Sequence, residues 1–313
     1  SPTSLEDYAR CPFAYFARHV LGLQRLIQPE LIFEIPPLDI GSICHKVLRR
    51  FYARGVERTP SPAEIERSLQ EDMTAVFLEY RETNPAGYPL IWEILQERLS
   101  GLLKSMIQDD MDEISRSGFI PHSFEVDATG CLMEDLPEDI RDISLHGVLD
   151  RIDVKEDTGQ FRIIDYKFKF GKKMHNDDKN LSLSAVRGKR LQPPLYLLMA
   201  IPYLKYTAGI KDPQPERVSL YFLAPRWSVA EDGEPRSEFP GDCWHTPLGE
   251  RVTATVALLL KGIREGLFFI LPGDYCSHCD YSAVCRKNHF PSRYRAERDA
   301  RVKPYYAIRK QKI

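Results

Sequence analysis

The sequence predicts an α/β fold, a central mixed β-sheet flanked by helices and interrupted by a helical insertion. Three observations predict it. Before Gly118 the apolar residues recur at helical spacing; from there to residue 168 they alternate in runs rich in Ile, Val and Phe; beyond residue 190 two apolar helical stretches enclose one more strand-like run. At 313 residues and 43% hydrophobic, the chain has the apolar surface for a substantial core or two packed subdomains.

The elements follow in order. TSLEDYARCPFAYFARHVLGL reads as a helix capped by Thr3 or Ser4, with Leu5, Tyr8, Phe13 and Phe16 as its apolar contacts. Pro12 interrupts it and sets Cys11 at a helix junction. A Pro-rich turn at Pro36 and Pro37 precedes DIGSICHKVLRRFYARG, an amphipathic helix through Val47, Leu48 and Phe51 that carries His45 near its start. Helices over 62–80, opened by Ser61-Pro62, and over 88–116 complete an insertion assigned to residues 46–118. SFEVDAT, ISLHGVLDRIDV and FRIIDYKF are strands, the last two joined by a turn at Asp157-Thr158-Gly159. A helix starts at Gln192-Pro193-Pro194 and runs through LYLLMAIPYL, RVSLYFLAP is a further strand, and VTATVALLLKGIREG a last helix. No internal repeat or low-complexity domain is present, so one domain over 1–313 is expected.

The net charge of -2 conceals two basic segments. Residues 162–190 hold nine Lys or Arg against three Asp, and residues 286–313 hold ten against two acidic residues. Such stretches suit a polyphosphate partner and equally suit a solvated face. Seven cysteines, no signal peptide and no 18-residue apolar run argue against a secreted disulfide scaffold or a membrane protein and for a reducing cytoplasm. The chain starts Ser-Pro-Thr-Ser without methionine, as expected of a segment excised from a larger polypeptide.

Asp165 and Lys167 of IIDYK lie two apart and share a strand face. A turn centred on Thr158 and Gly159 sets Asp150 opposite Lys167 and Ile152 opposite Asp165, which collects Asp150, Asp165 and Lys167 on one face and leaves Asp153 on the other. Paired carboxylates repel unless a cation or proton intervenes, and hard oxygen donors suit Mg²⁺ or Mn²⁺. Such an ion polarises a phosphodiester and activates water, while Lys167 orients the water or stabilises developing charge. His45 completes the set if its helix packs over the hairpin. Spacing alone fits a structural strand pair with a solvated Lys167 and a core or capping His45 just as well.

Cys276, Cys279 and Cys285 form C-x2-C-x5-C, and Cys11 is a distant fourth candidate for a clasp joining residues 1–22 to 270–290. By spacing alone, zinc is the favoured occupant. Cys44, Cys131 and Cys243 are isolated.

In order, GSICH with His45, GVLD with Asp150, IIDYK with Asp165 and Lys167, and QPPLY with Gln192 and Tyr196 resemble the motifs of the PD-(D/E)XK nuclease superfamily. Within it the chain is most similar to RecB-like domains of the AddB type, C-terminal nuclease domains with an iron-sulfur cluster, and is also similar to Cas4-type nucleases. The resemblance covers nearly the whole chain; the basic stretch KFGKKMHNDDKN departs from it. It implies a restriction-endonuclease-like sheet with His45, Asp150 and Asp165 holding Mg²⁺ or Mn²⁺, and Lys167 beside them as a catalytic group. Gln192 and Tyr196 would help hold DNA. Glu125 is either an auxiliary acidic group or a surface salt-bridge partner. Cys11, Cys276, Cys279 and Cys285 would hold a [4Fe-4S] cluster, with Zn²⁺ the alternative, joining the termini. The implied function is a metal-dependent DNA exonuclease on single-stranded or helicase-processed ends, in recombination and double-strand-break repair. Its expected partners are DNA and a helicase, a helicase-nuclease or the rest of a larger polypeptide, with no membrane. The competing classes are a DNA-end-binding protein with an unused nuclease site and a zinc-stabilised structural protein.

Overall fold

The computed structural model describes residues 1–24, 35–55, 61–84, 88–131, 143–168, 176–223 and 236–312. Its sheet has strands β1 (Ile120–Cys131), β2 (Ser144–Val154), β3 (Gln160–Phe168), β4 (Gln214–Leu223) and β5 (Arg236–Pro240), in that spatial order. β3 and β4 are parallel and the other neighbours antiparallel, so the sheet is mixed. A parallel pair needs a crossover. Residues between β3 and β4 supply the helices α6 (Asn176–Lys179), α7 (Leu181–Val186) and α8 (Gln192–Tyr206).

Before β1 come α1 (Pro2–Arg10), α2 (Pro12–Tyr15), α3 (Pro37–Ala53), α4 (Pro62–Thr83) and α5 (Pro89–Ser117); after β5 come α9 (Pro247–Arg264), α10 (Phe290–Arg298) and α11 (Lys303–Ile308). Proline at the first turn opens most of the long helices, because its missing N–H is one no helix uses there. Thus Pro37 belongs to α3 itself, and His45 lies mid-helix rather than near the start. Ser1, not Thr3 or Ser4, caps α1 in a reciprocal box with Ser4. β5 is too short, and too polar on its outer face, to show a strand period in the sequence.

One apolar core forms between one sheet face and α1, α8 and α9, with Ile152, Ile163, Leu195, Leu220 and Val256 fully or almost fully buried in it. The other face packs on α3–α5, where Ile164, Tyr166 and Tyr221 meet Val47, Leu48, Leu103 and Met106. The strands between are therefore buried on both sides, and any charge they carry inward must find a partner.

The hairpin register differs from expectation by two residues. Arg151 pairs with Ile164 and Ile152 with Ile163, because the turn spans Lys155 to Gly159, with Gly159 at φ 69° as its last residue. A two-residue shift preserves facing, so the parity argument survives while its pairs change.

Among the described residues the termini are not joined by a cysteine-bound cluster; the expectation for Cys11, Cys276, Cys279 and Cys285 is overturned. The ends are held by aromatic packing and main-chain bonds instead. Tyr8 donates its hydroxyl hydrogen to the Leu267 carbonyl at 2.8 Å, Phe13 N–H meets Phe269 O at 3.1 Å, and Tyr281 reaches Leu23 O at 3.0 Å. The Tyr8 ring lies edge-on to Tyr15, Phe268 and Tyr305. Gly262 in α9 makes this possible, since a Cβ there would fall 2.3 Å from the Tyr8 hydroxyl and 2.1 Å from that of Tyr305.

Candidate metal centre

β1 and β2 kink together. Phe124 pairs with Arg151 and Val126 with Leu149, but Glu125 and Asp150 between them form no ladder pair. Phe124 packs in the core beneath α3–α5, whereas Val126 and Leu149 face the opposite core, as does Ile152. Both strands thus exchange faces at one point. Glu125 has φ 48°, the sole non-glycine residue with positive φ among the described residues. Holding an L-residue there costs about 1–3 kcal/mol, a strain typical of functional positions.

α3 lays His45 over this kink. Its Nε2 lies 2.9 Å from the Tyr166 carbonyl, and a carbonyl only accepts, so Nε2 carries hydrogen and Nδ1 turns to the carboxylates. Nδ1 is 3.5 Å from Asp150 Oδ1 and 3.7 Å from Glu125 Oε1. The other Asp150 oxygen, Oδ2, accepts from Tyr166 N at 2.8 Å. Both main-chain polar groups of Tyr166 are thereby taken by side chains of the site, where the β2–β3 ladder has ended.

Asp165 is almost fully buried, and Lys167 Nζ stands 2.7 Å from its Oδ2. Burial opposes the Lys167 charge, but Asp165 and Asp150 outweigh it and hold the lysine above its ordinary range. It is an ammonium, not a base. Burial, together with the Asp165 charge, pushes Asp150 up to about 7. His45 rises to about 9: burial opposes the charge, while Glu125, Asp150, Asp165 and the Tyr166 carbonyl favour it.

Among the described residues, one group of three or more His, Cys, Asp or Glu donors lies within 4.8 Å of one another, and it is His45, Glu125 and Asp150. One imidazole nitrogen with carboxylate oxygens fits a hard divalent cation. This overturns the cofactor expectation of a [4Fe-4S] cluster or Zn²⁺ on thiolates. Cys11 is buried, Cys276, Cys279 and Cys285 are half-buried, all are free, and the compact donor group contains none of them. The motifs imply His45, Asp150 and Asp165 as ligands; the compact donor group has Glu125, with Asp165 alongside against Lys167.

Gln192 opens α8, and its Nε2 donates to the Tyr196 hydroxyl at 2.9 Å. Tyr196 is buried, and the neighbouring Asp165 and Asp150 carboxylates, after burial itself, hold its hydroxyl protonated. Of the basic stretch 169–180, residues 169–175 lie outside the described residues.

Beneath the site, sequence reasoning missed a buried ion network. Arg151 donates to Asp110 at 2.7 Å and to both Asp153 oxygens at 2.5 and 2.7 Å, and Arg162 joins Asp153 at 2.9 Å and Glu113 at 3.0 Å. Tyr52 and Tyr221 donate to the Asp110 carboxylate, and Arg151 lies over the Tyr52 ring. The signal that could have found it was charge inside strands otherwise apolar, and Asp110 and Glu113 one helical turn apart on α5. Glu6 was missed too; its carboxylate accepts from the amides of Leu191 and Gln192 at the head of α8.

The chain belongs to the PD-(D/E)XK nuclease superfamily, whose family model matches residues 1–286. Among curated proteins it is similar to the B component of the ATP-dependent helicase/deoxyribonuclease of Caldanaerobacter subterraneus subsp. tengcongensis, at 32% identity over 63% of this chain and 17% of the relative. The proteins of the same name from Clostridium tetani and Clostridium acetobutylicum are each 28% identical, over 71% and 91% of this chain and 19% and 29% of the relatives. The chain thus spans less than a third of the length of these relatives. Among the described residues no helix is long and apolar enough to cross a membrane.

Proposed function

We propose that this chain is a cation-dependent deoxyribonuclease that hydrolyses phosphodiester bonds in single-stranded or helicase-processed DNA ends, within a helicase-nuclease serving recombination and break repair. The convergence of His45, Glu125 and Asp150 within 4.8 Å, with the Asp165–Lys167 pair adjoining, carries the reading. Its DNA substrate and helicase partner are taken from relatives named as components of a helicase/deoxyribonuclease.

His45 Nδ1 and the carboxylates of Glu125 and Asp150 would hold a divalent cation, which supplies Lewis acidity to the phosphate and lowers the pKa of an attacking water. Binding it displaces the protons that His45 and Asp150 retain at neutral pH. Tyr166 fixes both ligands by its main chain, so they are oriented before the cation arrives. Lys167, kept as an ammonium by Asp165, neutralises charge developing on the phosphate oxygens. Gln192 and Tyr196 form the neighbouring wall, suited to a phosphate or base contact.

The test is cleavage of 5′-labelled single-stranded DNA by the whole chain across a panel of divalent cations, against Asp165→Ala and Lys167→Met. Cation-dependent products that chelation stops, lost in both variants with DNA binding retained, are expected. Near wild-type turnover in either variant rejects the assignment.

A further inference from the structure

Beside the metal centre, between α1, the turn after α7 and residues 273–275, lies a pocket of roughly 390 Å³. Its wall carries Arg10, Arg187, Lys189, Arg190 and Arg309. These charges are not equivalent. Lys189 is paired with Asp177 at 2.7 Å and Arg190 with Asp178 at 2.8 Å. Arg187 instead gives Nε to the Gln311 carbonyl at 2.9 Å, Arg309 donates to the carbonyls of Ala9, Arg10 and Pro272 and to the Tyr275 hydroxyl, and Arg10 stands 5.4 Å from the Tyr275 ring centre. Among the described residues these three arginines meet neutral partners only.

The acidic side chains of the wall are already engaged. Glu6 accepts the amides of Leu191 and Gln192 at 2.6 and 2.9 Å, Asp7 pairs with Arg18 and His19, and Asp274 accepts from Tyr275 N at 3.0 Å. Over the wall five cations stand against four carboxylates, and Arg10, Arg187 and Arg309 are the cations without an acidic partner among the described residues.

Two threads join this pocket to the metal centre. Glu6 feels the charge of Lys167 as well as that of Arg190. Thr3, in the wall, accepts from Gln192 Nε2 at 3.4 Å, and the same nitrogen reaches Tyr196, which neighbours Asp165.

We propose that this pocket is a second anion site, seating a phosphate of the bound strand away from the diester at His45, Glu125 and Asp150. The inference rests on the nuclease reading and names where that substrate is gripped. Guanidinium groups match phosphate oxygens in a planar, bidentate way, and the volume lies in the range of small-ligand sites, about 300–1,000 Å³. A phosphate held here sets which diester reaches the cation, because backbone contacts fix register without reading sequence.

Binding of fluorescein-labelled single-stranded oligothymidylate is measured by anisotropy on the whole chain in EDTA, where no cleavage intervenes. Arg10→Ala is the deciding variant, since Arg10 is exposed and bonds no carbonyl that the fold needs. Arg187→Ala supplements it. Each should weaken binding about 3–10-fold near physiological salt and reduce the slope of log K against log salt by about 0.7, the share of one phosphate on a single strand. Inorganic pyrophosphate should compete with the oligonucleotide on wild-type protein and less on the variants. Unchanged affinity and slope in Arg10→Ala overturn the site. If that occurs while cation-dependent cleavage persists, the nuclease reading stands without this pocket. Weakened binding in a protein that cuts no DNA keeps the pocket and removes the nuclease reading.

Discussion

Arg151 and Asp110 form an ion pair at 2.7 Å with neither side chain exposed. Arg151 immediately follows Asp150 in β2, and Asp110 belongs to α5, so the pair ties the insertion to the strand that presents Asp150 to the candidate metal centre. Breaking such a pair from one side leaves a buried charge without its partner. Asp110→Ala should therefore cost about 3–5 kcal/mol in urea unfolding. Any folded fraction should also bind cation more weakly, as Asp150 loses its support. A variant with wild-type stability shows that the network is dispensable.

Replacing a ligand acts differently. Glu125→Gln and Asp150→Asn keep shape and remove charge, so each should lower cation affinity about 100-fold or more, given that even supporting partners are worth about 10–100-fold. Calorimetric titration of a divalent cation into each variant gives the answer. Equal affinity in Glu125→Gln returns that residue to a surface role.

The strain at Glu125 gives a separable expectation. Glycine adopts φ 48° without the penalty an L-side chain meets there. Glu125→Gly should hold or raise the melting temperature of the cation-free protein, by up to about 1 kcal/mol of stability, while losing the cation. A fall in stability with cation binding preserved would mean the conformation serves packing.

Stability without cation should fall as pH rises. Asp150 titrates at about 7 in the fold against 3.8 when unfolded, and His45 at about 9 against 6.5. Over that span the native state holds more protons than the unfolded chain, so this pair's contribution drops from about pH 4 to pH 9. A bound cation replaces those protons, and its stabilising effect should grow over the same window. Thermal melts from about pH 5 to pH 9, with chelator and with cation, test both statements; parallel curves defeat them.

Much of this arrangement was legible because strand period is local. Asp165 and Lys167 had to share a face, and parity carried Asp150 to the same side even though the expected turn centre lies one residue too late. Glu125 was not legible in its present place: a kink shared by two strands brings it to His45, and nothing in SFEVDAT announces a positive φ. Arg151, Asp153 and Arg162 sit in apolar alternation like ordinary strand charges, and their partner Asp110 lies 41 residues from Arg151. The cysteines mark the opposite failure. Spacing advertises a ligand set, but convergence is a tertiary property, and Cys11, Cys276, Cys279 and Cys285 do not form one compact donor group.

The bond from Tyr8 to the Leu267 carbonyl also sets a timetable for synthesis. A ribosome releases the β2–β3 hairpin and then α8, on which α1 can settle through Glu6, but the Tyr8 bond waits until residue 267 has emerged. The layer of α1, α8 and α9 over one sheet face is therefore completed late in translation. A chain stalled before residue 267 would carry the acidic hairpin with α1 lacking its Tyr8 anchor and the Tyr8 ring without its Phe268 and Tyr305 neighbours.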